Sequence, residues 1–156
     1  MLYSILKTAH ILSIIVWLGG MTFSVFFLKP ALAQLDPALR AKFMHDILGR
    51  FFKAVLWASL VAVGSGLWMM GRVAKAAVQS GAGWSMPTSW MVMAVLGTLM
   101  LLIFGHIRFV LYKRLGSAVA AGSTSAAGDA LAAIRSWVAV NLAIGVVVVL
   151  VALLRL

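Results

Sequence analysis

The sequence predicts an all-α integral membrane bundle of four transmembrane helices, up-down, with both termini on the outer, periplasmic side. Three observations carry that expectation. Four apolar runs, at about residues 3–28, 49–71, 87–112 and 131–154, each reach the ~20 residues that cross a bilayer. The chain is 64% hydrophobic and only 10% charged over 156 residues, against about 25% charged in soluble domains. Its basic residues stand in short clusters between the apolar runs, the usual distribution of topology signals. At this length one domain, 1–156, is expected.

The first span runs from about Tyr3 to Leu28 and is expected to stop at Lys29-Pro30, because proline removes a helical hydrogen bond and the lysine reaches the headgroups. Ala31-Leu32-Ala33 has the form of a signal-peptidase site, but the apolar run before it exceeds the roughly 7–15 residues of a signal peptide's apolar region. An uncleaved first span is therefore expected. Asp36-Pro37 reads as an N-cap with proline at the first helical position. Beyond it Leu39, Phe43, Ile47 and Phe51 recur at helical spacing in a basic segment, an interfacial helix that runs straight into the second span. Asp46 and Arg50 are one turn apart and suited to a weak ion pair.

In the second span, Ala58, Ala62 and Gly66 form a ladder of small residues that lets helices approach closely in lipid. Arg72 to Met86 is expected to be a loop, flexible at Ser80-Gly81-Ala82-Gly83 and anchored at the interface by Trp84. Pro87 opens the third span, which is expected to end near Tyr112, with Gly116 to Gly128 as a loop or a helical continuation. The fourth span begins near Leu131. Its β-branched stretch Val146–Val151 is compatible with helix in lipid, where every backbone group must bond internally.

Orientation follows from the lysines and arginines. Loops one and three with their helix ends hold nine: Lys29, Arg40, Lys42, Arg50, Lys53, Arg108, Lys113, Arg114 and Arg135. The opposite side holds four: Lys7, Arg72, Lys75 and Arg155. Nine against four puts loops one and three in the cytoplasm. The net charge of +10 thus reads as topology, and nucleic acid is not an expected partner.

The chemistry is confined to few groups. No cysteine is present, which excludes disulfides and thiolate metal sites. The three acidic residues, Asp36, Asp46 and Asp129, all fall outside the spans, which disfavours hydrolysis and a carboxylate-based proton pump. What remains within the spans is His10 and His106, since intramembrane ionisable residues are functional by default. At 100° per residue His10, Trp17, Met21 and Leu28 lie within about 20° of one line on the helix. Depth matching sets Ser65 and Met93 near His10, and Met21 and Asn141 near His106. The two histidines come out ~18 Å apart along the membrane normal, too far to share one metal. Histidine with methionine suits Cu(I) or an axial pair on haem. His10, His106, Met21 and Met93 are accordingly the candidate metal ligands, and His106, His10, Met21 and Asn141 the candidate cofactor-binding set. A histidine that hydrogen-bonds a neighbouring helix, with methionine as packing, is the structural alternative. His45, in the cationic interfacial segment, is expected to face solvent or headgroups.

Several motifs in order resemble the CopD-like membrane proteins of the copper-resistance D family. They are His10 with Trp17-Leu18-Gly19-Gly20, Leu28-Lys29-Pro30-Ala31, Gly49-Arg50-Phe51-Phe52, Gly64-Ser65-Gly66-Leu67-Trp68, Gly105-His106-Ile107-Arg108, and Ile134-Arg135 with Val140-Asn141-Leu142. The resemblance implies a multi-pass protein of a bacterial inner membrane linked to copper uptake or tolerance. The first span is also similar to HemJ, the membrane protoporphyrinogen oxidase, in Lys7, His10, Trp17, Gly20 and Phe23. It differs from that family in having no lysine early in span three and leucine after Asn141. Copper ion is thus the expected ligand. Haem b in a redox protein is the alternative, and a cofactor-free accessory subunit the third reading. Partners are the lipid bilayer and, as further candidates, a second copy or another membrane subunit.

The charge split makes a direct prediction. Reporter fusions after Gly122 should report the cytoplasm and fusions after Ser80 or Leu156 the periplasm; the opposite pattern at all three would reverse the orientation.

Overall fold

Apolar side chains cannot satisfy backbone N–H and C=O groups, so a chain in hydrocarbon must do so within its own helices. The computed structural model, which describes residues 1–81 and 83–154, follows that rule throughout. It consists of α1 (Leu2–Leu32), α2 (Pro37–Gln79), α3 (Thr88–Ala120) and α4 (Thr124–Leu154), each long and apolar enough to cross a membrane. No strand occurs among the described residues. Ala82 of the expected flexible loop and Arg155 of the charge split lie outside the described residues.

The helices outrun their expected spans. α1 continues through Pro30 by way of a π turn at Ser24–Leu28. A π turn widens the backbone just where the ring would otherwise meet the carbonyl of Phe26, four residues earlier. At 43 residues α2 is about 65 Å long, roughly twice the hydrocarbon thickness. It joins the basic interfacial segment to the second span without a break and takes up most of the expected second loop. Asp36 caps it, its carboxylate accepting from the N–H groups of Ala38 and Leu39 at 3.0 and 3.4 Å. α3 contains a second π turn, Ile107–Leu111, and runs on to Ala120.

The link between α3 and α4 is shorter than expected because a helix stop and a helix start are fused. Gly122 sits at φ 67°, a conformation glycine adopts without steric cost. The N–H of Ser123 reaches Ala118 O and that of Gly122 reaches Val119 O, the double bond of a Schellman stop. The Ser123 hydroxyl then accepts from the Ala126 N–H at 3.3 Å and opens α4.

Contacts run antiparallel between successive helices. His10 meets Ala62 and Ser65, whereas Gly20 meets Phe51. His45 meets Tyr112 and Phe52 meets Phe104; His106 meets Trp137. Gly145 of α4 lies against Leu18 and Met100, closing the ring of helices. The order is therefore up-down. Aromatic rings hold the centre. Trp17 meets Phe104 edge-on at 5.9 Å, Phe104 meets Phe52 at 6.1 Å, and Phe52 meets Tyr112 at 5.5 Å and 89°. Trp84 and Trp90 pack together at the opposite end.

Burial is one-sided along the axis. The core runs from Ser13, Ser65, Met100 and Gly145 toward the α3–α4 turn, where Leu115 and Ala127 are still enclosed. Residues 1–12, 66–79, 88–99 and 146–154 contain no buried position. The small ladder of α2 faces inward at Ala58 and Ala62, while Val63 is exposed.

Glycines at the α1–α2 contact provide a test. A Cβ on Gly20 would fall within the Phe51 ring, while Gly19 has open space. Gly20→Leu should cost ~1–3 kcal/mol through overpacking, and Gly19→Leu should be near neutral, as read by unfolding in detergent. Equal losses would mean that this helix contact is not tight.

Candidate metal-handling site

His10 is the intramembrane histidine that the fold orients. It projects from α1 onto α2, where its Nδ1 lies 2.8 Å from the Ala62 carbonyl oxygen and 3.2 Å from Ser65 Oγ. A carbonyl only accepts, so in the neutral ring the proton resides on Nδ1 and is donated to Ala62. The Ser65 hydroxyl is directed to its own helix at Val61 and Ala62. Nε2 is left with its lone pair, the form that binds a metal or accepts a proton. The ladder of small residues makes this possible: a Cβ on Gly66 would already touch the imidazole at 3.4 Å. His10 itself is half-buried, at the border of the unpacked helix ends that lie on the side of the chain termini.

His106 has a different setting. It is exposed on the bundle's flank, edge-on to Trp137 at 5.4 Å between ring centres. Met21 and Asn141 are buried in the core. His106 itself is exposed, and among the described residues it makes no hydrogen bond to Asn141. The Asn141 side chain is 1% exposed, and its Oδ1 has no hydrogen-bond partner among the described residues. Met93 is half-buried in the N-terminal part of α3. Taking Trp17 and Phe104 as one level, Met93 lies about 6 Å beyond His10 on the side of the chain termini, and the two histidines about 13 Å apart in depth. That is closer than the midpoint estimate and still too far for one metal. Ser65 is the depth-matched neighbour that the structure brings into contact with a histidine. Among the described residues no cluster of three or more His, Cys, Asp or Glu has a metal-binding arrangement.

One group stands apart from the solvated setting expected for it. His45 is half-buried and stacks on Tyr112 at 4.8 Å with the rings 3° from parallel. The Tyr112 hydroxyl donates to the His45 carbonyl at 3.1 Å, and Arg108 lies over the Tyr112 ring at 5.1 Å. Gly49 and Gly116 leave room for the stack, since a Cβ at either would crowd Tyr112 or His45. The legible signal was spacing: His45, Gly49 and Phe52 share one face of α2, as Arg108, Tyr112 and Gly116 share one of α3.

Fold and site together define a multi-pass helical membrane protein with an oriented intramembrane imidazole. The chain belongs to the copper resistance protein D family (CopD), whose sequence profile matches residues 45–155. The match takes in α2 from His45 onward, α3 and α4; α1 with His10 precedes it. No curated protein and no solved structure matches the chain.

The stack can be dissected by two substitutions. Tyr112→Phe keeps the ring and loses one hydrogen bond, and should cost ~1 kcal/mol. Tyr112→Ala also empties the space under Phe52 and His45 and should cost ~3–5 kcal/mol. Equal and small losses in detergent unfolding would place the stack outside the bundle's stabilising contacts.

Proposed function

We propose that this protein handles copper ions in the inner membrane of a bacterium, with Cu(I) as the transported or sequestered species and His10 as the residue that meets it. Membership of the copper-resistance family supports the metal. The observation that carries the residue is the Nδ1–H bond to Ala62, which leaves Nε2 as a free nitrogen donor. An imidazole so oriented is a borderline ligand suited to Cu(I), and thioethers such as Met93, one turn outward, are the soft donors that copper favours over harder metals.

In this reading the outer helix ends, with no buried positions, give the ion its approach to His10. A hydrogen-bonded second partner fixes the ring orientation and raises the basicity of the metal-facing nitrogen; in metal sites its loss typically costs 10–100-fold in affinity. Ser65 and the Ala62 carbonyl are that partner set here. His106, on the flank beside Trp137, serves as a separate inner station, beyond the reach of an ion held at His10. Met21 and Asn141 belong to its level but to the core, where the Met21 thioether fills space in the apolar cluster and Asn141 is enclosed.

The test is a Cu(I) titration of purified protein against a competing chelator. His10→Ala should lower affinity at least tenfold, Ser65→Ala by less, and His106→Ala should leave the first equivalent bound. Helical content is checked in each variant by circular dichroism. Full copper binding by a folded His10→Ala variant would defeat the assignment, and a reducible haem absorption band in the purified protein would defeat the copper reading itself.

A further inference from the structure

A cavity of about 220 Å³ opens between the end of α1, the start of α2 and the start of α4. Lys29, Arg40 and Arg135 line it, one from each helix, and its remaining wall is largely apolar, including Val25, Leu131 and Val138. None of the three acidic residues of the chain borders it. The one carboxylate ion pair among the described residues is Asp46–Arg50, on the exposed side of α2. Three basic residues thus line one space, and none of them is in an ion pair among the described residues.

The depths give the cavity a polarity. Lys29 is 12 residues beyond Trp17, or about 18 Å along the helix, and Arg40, counted through the Gly20–Phe51 contact, is about 21 Å below the same level. Trp17 lies within about 2 Å of the midpoint of the first span, residues 3–28, so with that midpoint at the bilayer centre those depths fall within the headgroup layer, roughly 15–22 Å out. Val138 and Leu48 bound the deeper part of the cavity, at acyl-chain level. Arg135 starts deeper than the other two, and its long stem lets the guanidinium rise toward the headgroups. The π turn at Ser24–Leu28 inserts an extra residue ahead of Lys29 and so resets the face of α1 on which Lys29 lies.

The geometry points to a binding site for the phosphate headgroup of an anionic phospholipid, held by Lys29, Arg40 and Arg135 with an acyl chain along the Val25–Val138 wall. Basic pockets between transmembrane helices recognise headgroups in this way, and arginine matches phosphate through paired hydrogen bonds. The size agrees: about 220 Å³ is below the roughly 300 Å³ of pockets that enclose a whole small molecule. The cavity takes a headgroup and the first part of a chain, and the rest of the lipid stays in the bilayer. This site is independent of the copper reading.

Native mass spectrometry of the delipidated full chain, with phosphatidylglycerol and phosphatidylcholine added separately, tests it. The wild type should retain phosphatidylglycerol at least tenfold more than phosphatidylcholine. Arg40→Gln with Arg135→Gln should abolish that preference, whereas Arg72→Gln with Lys75→Gln, at the other end of the molecule, should keep it. Ala132→Phe fills the apolar wall and leaves all three cations, so it should reduce lipid retention in a protein of unchanged helical content. It also serves if the double arginine variant fails to fold. Equal retention of the two lipids by the wild type would overturn the site, as would a preference that survives the double arginine variant or phosphatidylglycerol retention that Ala132→Phe leaves unchanged. If inorganic phosphate raises the melting temperature as much as phosphatidylglycerol does, the cations serve a soluble anion and the lipid assignment falls.

Discussion

Phe52 is the side chain on which the packing of three helices converges. It is 1% exposed and meets Phe104 and Tyr112 of α3 edge-on. Phe104 carries the contact on to Trp17 of α1, and Tyr112 carries it to His45, back on α2. Lipid tails are as apolar as leucine, so helices in a membrane gain little from apolar burial alone. Edge-to-face aromatic pairs supply attraction that depends on geometry, each worth ~0.5–1.5 kcal/mol beyond area. The chain of rings therefore sets the relative level of α1, α2 and α3.

Around that centre, packing is uneven along the membrane normal. Toward the α3–α4 turn the helices continue past the hydrocarbon and remain enclosed at Leu115 and Ala127. A Schellman stop fused to a serine cap holds that end with three linking residues, 121–123. At the opposite end no position is buried, and the α2–α3 link is longer and includes Gly81 at φ 74°. One end is clamped and the other is open. His10 lies at the border between them, with one ring nitrogen spent on Ala62 and the other available.

The same small residues serve helix packing and the orientation of the His10 ring. Ala58, Ala62 and Gly66 bring α1 against α2, and the close approach is what brings the His10 ring to the Ala62 carbonyl. Ordinarily that carbonyl is occupied by its own helical bond; its second lone pair accepts the imidazole. A larger residue in the ladder would separate the helices and release the ring together. Of the two π turns, Ser24–Leu28 lies beside the basic cavity and Ile107–Leu111 between His106 and Tyr112. A π turn reorients the following face without breaking the helix, which is why Pro30 and Tyr112 continue helices expected to end near them.

Hydropathy, length and charge distribution determined the four spans, the Asp36 cap, the Asp46–Arg50 pair and the absence of thiol or carboxylate chemistry in the membrane. These are local properties: a span is defined by some 20 apolar residues, a cap by its own side chain and the next few N–H groups. The contact of His10 with Ser65 was also legible, because depth in a bilayer can be counted residue by residue. Azimuth cannot be counted that way. Which flank of α3 carries His106, which way Asn141 and Met21 turn, and whether His45 meets headgroups or Tyr112 depend on how each helix is rotated against its neighbours. An apolar helix surrounded by lipid has weak amphipathic contrast from which to read that rotation. Only the interlocking of Gly20 with Phe51, Gly49 with Tyr112 and Gly145 with Leu18 decides it, since each pair fits at a single rotation of its helices.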